Sequence, residues 1–186
     1  MKKSFGAQSW MFPMPVLILA VYNEDGTVNT MNAAWGGIHN TNEIGICLDE
    51  NHKTTQDILR CREFSVSFAD RAHIIASDYV GIVSGNDIAD KTARAGFHCE
   101  PAEKVNAPVL IELPVALECR LIDFDEESGY LTASIVNVRA DESVLDSEGK
   151  IDLSLFSPLI YEPVRHGYYA FGEKVGQAFH DGKALI

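Results

Sequence analysis

Hydrophobic positions fall in short blocks whose spacing changes along the chain. VLILAVY, Val16 to Tyr22, is a continuous apolar run that leads directly into NEDG, Asn23 to Gly26. A run rich in β-formers and closed by Asp-Gly predicts the first arm of a hairpin, with TVNTMNA, Thr27 to Ala33, as its second arm. Two further strands are expected at Glu43 to Leu48 and Glu63 to Phe68. Within the latter, FSVSF alternates apolar and polar residues, as one packed face requires. Between these strands TTQDILRC has helical character, with Thr54 as its expected cap and Asp57 close to the capping-box position. RAHIIASDYVG and NDIADKTARAG predict two more short helices, the second ending near Gly96.

Further along, PVALECRLIDF and YLTASIVNVRA form a long strand pair joined by the turn DEESG, with arms long enough to wrap around a barrel. Glu142 to Pro163 reads mainly as connector, with a short turn or edge element at Leu153 to Phe156. HGYYAFG predicts a last short strand and VGQAF a closing turn. Helices fall between strands without the regular alternation of a doubly wound parallel sheet. The expected fold is a single mainly β domain over residues 1–186, a small closed or split β-barrel with short inserted helices.

Charge narrows the partners. With 15 basic and 27 acidic residues the chain carries a formal charge of −12, and no basic stretch offsets it, so nucleic acid is not expected as a partner. A few local donors can still hold a phosphate on an acidic protein. MKKSFGAQSW begins like the n-region of a signal peptide, but the apolar PVLILAVY is short and runs straight into NEDG, which reads as a buried strand. No apolar segment reaches the length of a bilayer span, and a soluble cytoplasmic protein with no membrane partner is expected. Cys47, Cys61, Cys99 and Cys119 form no CxxC pair and read as free thiols.

Common catalytic signatures are missing: no GxGxxG follows a strand, and GxxxxGK[ST], GxSxG and HExxH do not occur. His98 and Cys99 are adjacent, but only remote residues could complete a ligand set, so no metal site is expected. Three segments carry polar chemistry instead. DENHKTTQDI places His52, Lys53, Thr54 and Thr55 where a strand hands over to a helix, and such hydroxyls, backbone N–H groups and an ammonium can receive a phosphate. A capped helix beside a charged loop explains the same residues, and Asp49 and Glu50 oppose an anion there. In MNAAWGGIHN, Asn32 can donate and accept, while Ala33, Ala34, Gly36 and Gly37 permit close approach by a planar group. Trp35 is either an aromatic wall or a core filler. IVSGNDIADKTARAG adds Ser84, Gly85, Asp90 and Lys91 in a polar loop that could cover a cofactor or simply cap a helix. Together these segments permit a phosphate-bearing planar cofactor without selecting one.

The order of segments adds what the local chemistry leaves open. KKSFGAQSWMFPMPVLILAVYNEDGTVNTMNAAWGG, HKTTQDILRCREFSVSF, IVSGNDIADKTARAG, NAPVLIELPVALECRL, VRADESVLDSEGKID and YYAFGEKVGQAFHDGKAL follow one another across nearly the whole chain. In that order they resemble the flavoredoxins and the wider flavin-reductase-like family, whose domain is an FMN-binding split barrel. The resemblance implies FMN held noncovalently in a homodimer whose subunit boundary helps form the site. It implies that Asn32, Ala33, Ala34, Trp35, Gly36 and Gly37 run beside the isoalloxazine, and that Asn51, His52, Lys53 and Thr54 serve the ribityl-phosphate end. Ser84, Gly85 and Lys91 would then lie near the exposed side of the flavin. Asp49 and Glu50 depart from the pattern, since similar proteins often carry basic residues there; phosphate binding would lean on His52, Lys53 and Thr54. No protein side chain is expected to act as nucleophile or general base, because the flavin carries the redox chemistry. Three functions stay open: a reductase supplied by NADH or NADPH, an electron carrier for a redox-protein donor or acceptor, and a noncatalytic flavin-binding module.

Overall fold

The computed structural model describes residues 1–186. The chain runs β1 (Met14–Pro15), β2 (Leu17–Tyr22), β3 (Val28–Ala33), β4 (Gly36–Asn40), β5 (Glu43–Cys47), α1 (Lys53–Cys61), β6 (Glu63–Phe68), α2 (Ile74–Ile82) and α3 (Lys91–Arg94). It continues through β7 (Cys99–Pro101), β8 (Pro108–Leu110), β9 (Val115–Asp125), β10 (Tyr130–Ala140), β11 (Leu159–Glu162) and β12 (Gly167–Ala170). The main sheet has the order β3-β2-β6-β9-β10-β5-β4, and every neighbouring pair is antiparallel. A second sheet, β1-β11-β12, and the β7-β8 hairpin flank it.

This strand order forces the sheet to curl. β3 and β4 are its two outermost strands, yet only Ala34 and Trp35 separate them in the chain. In a flat sheet the six steps between these edges, at about 4.8 Å each, would hold them roughly 29 Å apart. The stretch from Ala33 to Gly36 reaches at most about 11 Å. The edges must therefore meet at this corner, where the Cys47 N–H donates to the Trp35 carbonyl at 2.8 Å. The result is a mainly β, half-closed barrel with a few short helices, as the split-barrel expectation required.

The continuous apolar run of β2 follows from its place in this architecture. Leu17, Leu19 and Val21 point into the barrel with Ile46, Phe64, Val66 and Leu131. Val16, Ile18 and Ala20 pack on the opposite side with Val80 of α2, Phe97, Leu110, Leu113 and Leu159. A strand covered on both faces has no reason to alternate. β6 instead turns Phe64 and Val66 inward and Ser65 and Ser67 outward, all fully buried.

The expected hairpin, the strands near residues 43–48 and 63–68, and the long pair are all present within a residue or so. Capping of α1 differs from expectation. His52 occupies the N-cap without a side-chain bond, and Thr54 lies buried inside the first turn, where its hydroxyl accepts from Asn29 Nδ2 at 2.9 Å. Asp57 is engaged by Lys53 and Arg60 rather than by the helix start. Gly36 to Asn40, to which the sequence assigned no element, forms edge strand β4, and the connector before Pro163 contains β11, while Leu153 to Leu155 is a turn. The third helix is a single turn. The four cysteines are free, and no helix is long and apolar enough to cross a membrane.

Gly36 holds the corner closed. A Cβ there would lie 2.9 Å from Leu17 Cδ1 and 3.2 Å from both the Gly45 carbonyl and Ile46 Cγ1, whereas nothing lies within 4 Å of a Cβ on Gly37. Gly36→Val should lower unfolding free energy by about 1–3 kcal/mol through overpacking, while Gly37→Ala should stay within about 0.5 kcal/mol of the parent. Urea titration of both variants measures the contrast, and equal midpoints would contradict a tightly closed corner.

Candidate functional site

The closure corner opens into a bent cleft of two adjoining cavities. The wider one, about 450 Å³, is floored by Met31 to Trp35 and bounded by Cys47 to Asp49, by Asp78, Gly81 and Ile82 of α2, and by Tyr161 and Tyr168. The narrower one, about 250 Å³, collects His52, Lys53 and Thr54 at the start of α1 with Ser84, Gly85 and Lys91 beyond the end of α2. Met31, Asn32, His52, Gly81 and Ile82 line both, so the two are continuous. Their sizes and mixed lining are those of a small-molecule site.

The narrow end is rich in donors. Lys91 is 3% exposed, and its Nζ donates to the carbonyls of Val80 at 3.1 Å and Val83 at 2.7 Å. Those carbonyls belong to the last turn of α2, which has no helical donors left, so the ammonium caps the helix and meets the negative end of its dipole. Burial alone lowers the Lys91 pKa from 10.5 to about 8. Lys53 Nζ is 2.6 Å from Asp57 Oδ2, and Arg60 reaches the other Asp57 oxygen at 3.1 Å. The Lys53 charge is thus partly neutralised within its own helix. Close approach is built in beside it: a Cβ on Gly85 would lie 2.7 Å from Asn29 Oδ1 and 3.2 Å from Lys53 Cγ. The first-turn N–H groups of α1 have no side-chain cap, which leaves them available to an anion.

The wide end is apolar and aromatic, with two carboxylates. Trp35 is 51% exposed, which makes it a wall of the cleft and not a core filler. Asp49 Oδ1 accepts from the backbone N–H of Asn51 at 2.8 Å and from its Nδ2 at 3.0 Å. These bonds hold the Asp49 carboxyl below its usual range. They also occupy Asn51, which does not line the cleft. Tyr168 OH donates to Asp78 Oδ1 at 2.8 Å. Burial first, and then this bond, push Tyr168 up to about 12.

The sequence-derived residues separate into distinct places. Asn32, Ala33, Ala34 and Trp35 line the wide cavity. Gly36 and Gly37 instead line a neighbouring pocket with Trp10, Ile38 and Tyr130, and Trp35 divides the two. Ser84, Gly85 and Lys91 share the narrow end with His52, Lys53 and Thr54 instead of forming a separate side. Asp78, Gly81, Tyr161 and Tyr168 were not anticipated. Asp78 and Tyr168 stand 90 positions apart in sequence, and only the predicted strand in HGYYAFG hinted that its tyrosines face a neighbour. No three His, Cys, Asp or Glu side chains converge to hold a metal ion.

Comparison with known proteins agrees with this architecture. The family model described as flavin reductase like domain matches residues 9–169. Flavoredoxin of Desulfovibrio vulgaris (Miyazaki F) is 36% identical, with 98% of this chain and 100% of that chain covered and a TM-score of 0.93. Flavoredoxin from Methanosarcina acetivorans is 27% identical, with both chains covered over 100% and a TM-score of 0.90. An FMN-binding domain of a flavin-reductase-like enzyme from Shewanella baltica, 22% identical over 88% of each chain, shares the fold with a TM-score of 0.79. Among curated proteins no match is found. A family match over most of the chain, joined to a barrel whose closure corner opens into a donor-ended aromatic cleft, leads to one assignment: this chain belongs to the flavin-reductase-like family of FMN-binding split barrels, to which the flavoredoxins also belong.

Proposed function

We propose that the chain is a flavoredoxin-type oxidoreductase that binds FMN noncovalently in the bent cleft, with phosphate at the narrow end and isoalloxazine against Asn32 to Trp35. The observation that carries this reading is the polarity of the cleft: Lys53, Lys91, Thr54 and Ser84 gather at one end, and Trp35, Tyr161 and Tyr168 at the other. The donor set fits a phosphate monoester, and the aromatic end fits a flat heteroaromatic ring. Bound FMN supplies the electron-transfer chemistry. The protein contributes fixed donors at the phosphate, a Trp35 wall, and a small-residue floor at Ala33 and Ala34 that lets backbone approach the ring.

Electrons would come from NADH or NADPH, or from a redox protein. The second source is favoured by charge: the chain carries −12 overall, and Asp49 and Asp78 line the open end, a surface suited to a partner with a basic patch. Anaerobic stopped-flow mixing separates the two. Bleaching of bound flavin by NADH or NADPH within seconds is the reductase outcome. Reduction by dithionite or a redox protein, without bleaching by either nucleotide, is the carrier outcome. No redox signal in folded, FMN-supplied protein would defeat both.

A homodimer is part of the same reading. Residues 1–13 and 171–186 are exposed throughout and carry Phe5, Met11, Phe12, Phe171, Val175 and Phe179. Apolar arms of this kind suit a second copy as their cover. Sedimentation at tens of micromolar protein should find dimer, and removal of residues 172–186 should weaken it. A monomer at that concentration with FMN present would contradict the assembly.

Two expectations concern the phosphate end. Lys91→Met should weaken FMN binding by about 1.5–3 kcal/mol, the range of a charge-assisted bond. Lys53→Ala should cost less, because Asp57 already holds that ammonium. Since burial sets the free Lys91 pKa near 8, its charge is present below that pH and lost as pH rises through it. FMN affinity should therefore hold below about pH 8 and decline above it, and Lys91→Met should flatten the decline. Fluorescence titration of FMN across pH tests both; a pH profile unchanged by Lys91→Met would exclude Lys91 from the phosphate site.

A further inference from the structure

Asn32 sits where β3 crosses α2, and its amide is held from several directions. A Cβ on Gly81 would lie 2.9 Å from Asn32 Cβ, so α2 admits Asn32 at this depth only because position 81 lacks a side chain. Glycine is a weak helix former, and its use here buys close approach. Asn32 Nδ2 donates to the Ser77 carbonyl at 3.0 Å, four residues before Gly81 on the same face of α2. The same Nδ2 lies 3.5 Å from Tyr168 OH, and Tyr168 OH donates its proton to Asp78 at 2.8 Å.

The direction of these bonds determines the amide's orientation. A phenol that gives its proton to a carboxylate presents only lone pairs to its other neighbour, and the Ser77 carbonyl is likewise an acceptor. Both therefore require the NH₂ side of Asn32. The carbonyl side, Oδ1, accepts from no protein group, and Asn32 lines both parts of the cleft. The burial that raises Tyr168 keeps the phenol protonated, so the relay has one polarity across the physiological range. Tyr161, with its ring centroid 6.1 Å away, packs beside Tyr168 on the neighbouring strand.

We propose that Tyr168 and Asp78 are positioning residues that hold Asn32 with Oδ1 presented to the cleft as a hydrogen-bond acceptor, so that the site favours reduced over oxidised FMN. This rests on the FMN reading above. Two-electron reduction with uptake of a proton turns a ring nitrogen that only accepts into an N–H donor, and an acceptor already in place beside it would stabilise that form. Tyr168 also stands at the aromatic end of the cleft, so its action through Asn32 is separated from direct ring contact by the double variant with Asn32→Leu.

The test is the midpoint potential of bound FMN in wild type, Tyr168→Phe, Asp78→Asn and Asn32→Leu, read by dye equilibration. Tyr168→Phe should reduce the preference for reduced over oxidised FMN about tenfold, a shift of about −30 mV for a two-electron couple. Asn32→Leu should shift the potential at least as far, the Tyr168→Phe/Asn32→Leu double variant no further than Asn32→Leu, and Asp78→Asn in the same direction by less. Nitrogen-edited NMR of the FMN-free protein gives a second readout: the Asn32 side-chain amide should exchange slowly in wild type and rapidly in Tyr168→Phe. If Tyr168→Phe fails to fold, Asp78→Asn carries both readouts. A wild-type potential in folded Tyr168→Phe, additive shifts in the double variant, or an unchanged Asn32 amide overturns the positioning role. Failure of wild type to bind FMN overturns the functional reading and the redox consequence together, while the FMN-free spectra still decide whether Tyr168 holds Asn32.

Discussion

Two residues, Ala34 and Trp35, join the opposite edges of a seven-stranded sheet, and most of the molecule follows from that connection. A flat sheet cannot satisfy it, so the sheet curls. Curling encloses Leu17, Leu19, Ile46, Phe64 and Leu131 as a barrel core. It also brings the end of β3 to the strand–helix junction at His52, which is how residues distant in sequence come to share one cleft. The small side chains of MNAAWGG therefore serve two ends at once. Gly36 lets Leu17 and Ile46 close the barrel, while Asn32 to Trp35 form the floor and wall of the cleft.

Electrostatics give the cleft a direction. The narrow end has two lysines, one held by Asp57 and one by helix carbonyls. Lys91 is the more exacting arrangement, because a buried ammonium bonded only to neutral carbonyls gains from an arriving anion. The wide end has carboxylates at Asp49 and Asp78, each already restrained by a neighbour. On the proposed reading, an anionic phosphate and a neutral ring would fit this gradient in one orientation only. Further anionic groups at the open end would meet repulsion, which bears on the choice of electron partner.

Much of this was legible from residue order, for identifiable reasons. The apolar VLILAVY run and the β9/β10 pair announce strands because packing on both faces or around a barrel dictates their composition. β4 was hidden because Gly36 and Gly37 carry no strand propensity, and its pairing with β5 depends on the corner. Thr54 looked like a helix cap; its hydroxyl is instead used by Asn29 across the barrel wall, a contact that no local pattern encodes. The same holds for Asp78 and Tyr168, which meet only after β12 has joined β11 in the second sheet. Local chemistry marked the donor-rich and small-residue segments that line the cleft, segment order pointed to the family, and tertiary contact supplied the second wall.

Hydrogen–deuterium exchange with and without FMN reads every segment of the proposed cleft together. Strong FMN-dependent protection is expected at Met31 to Trp35, His52 to Thr54 and Val83 to Lys91, with the β7-β8 hairpin, which does not line the cleft, unchanged. No protection, or protection confined to segments remote from the closure corner, would contradict it.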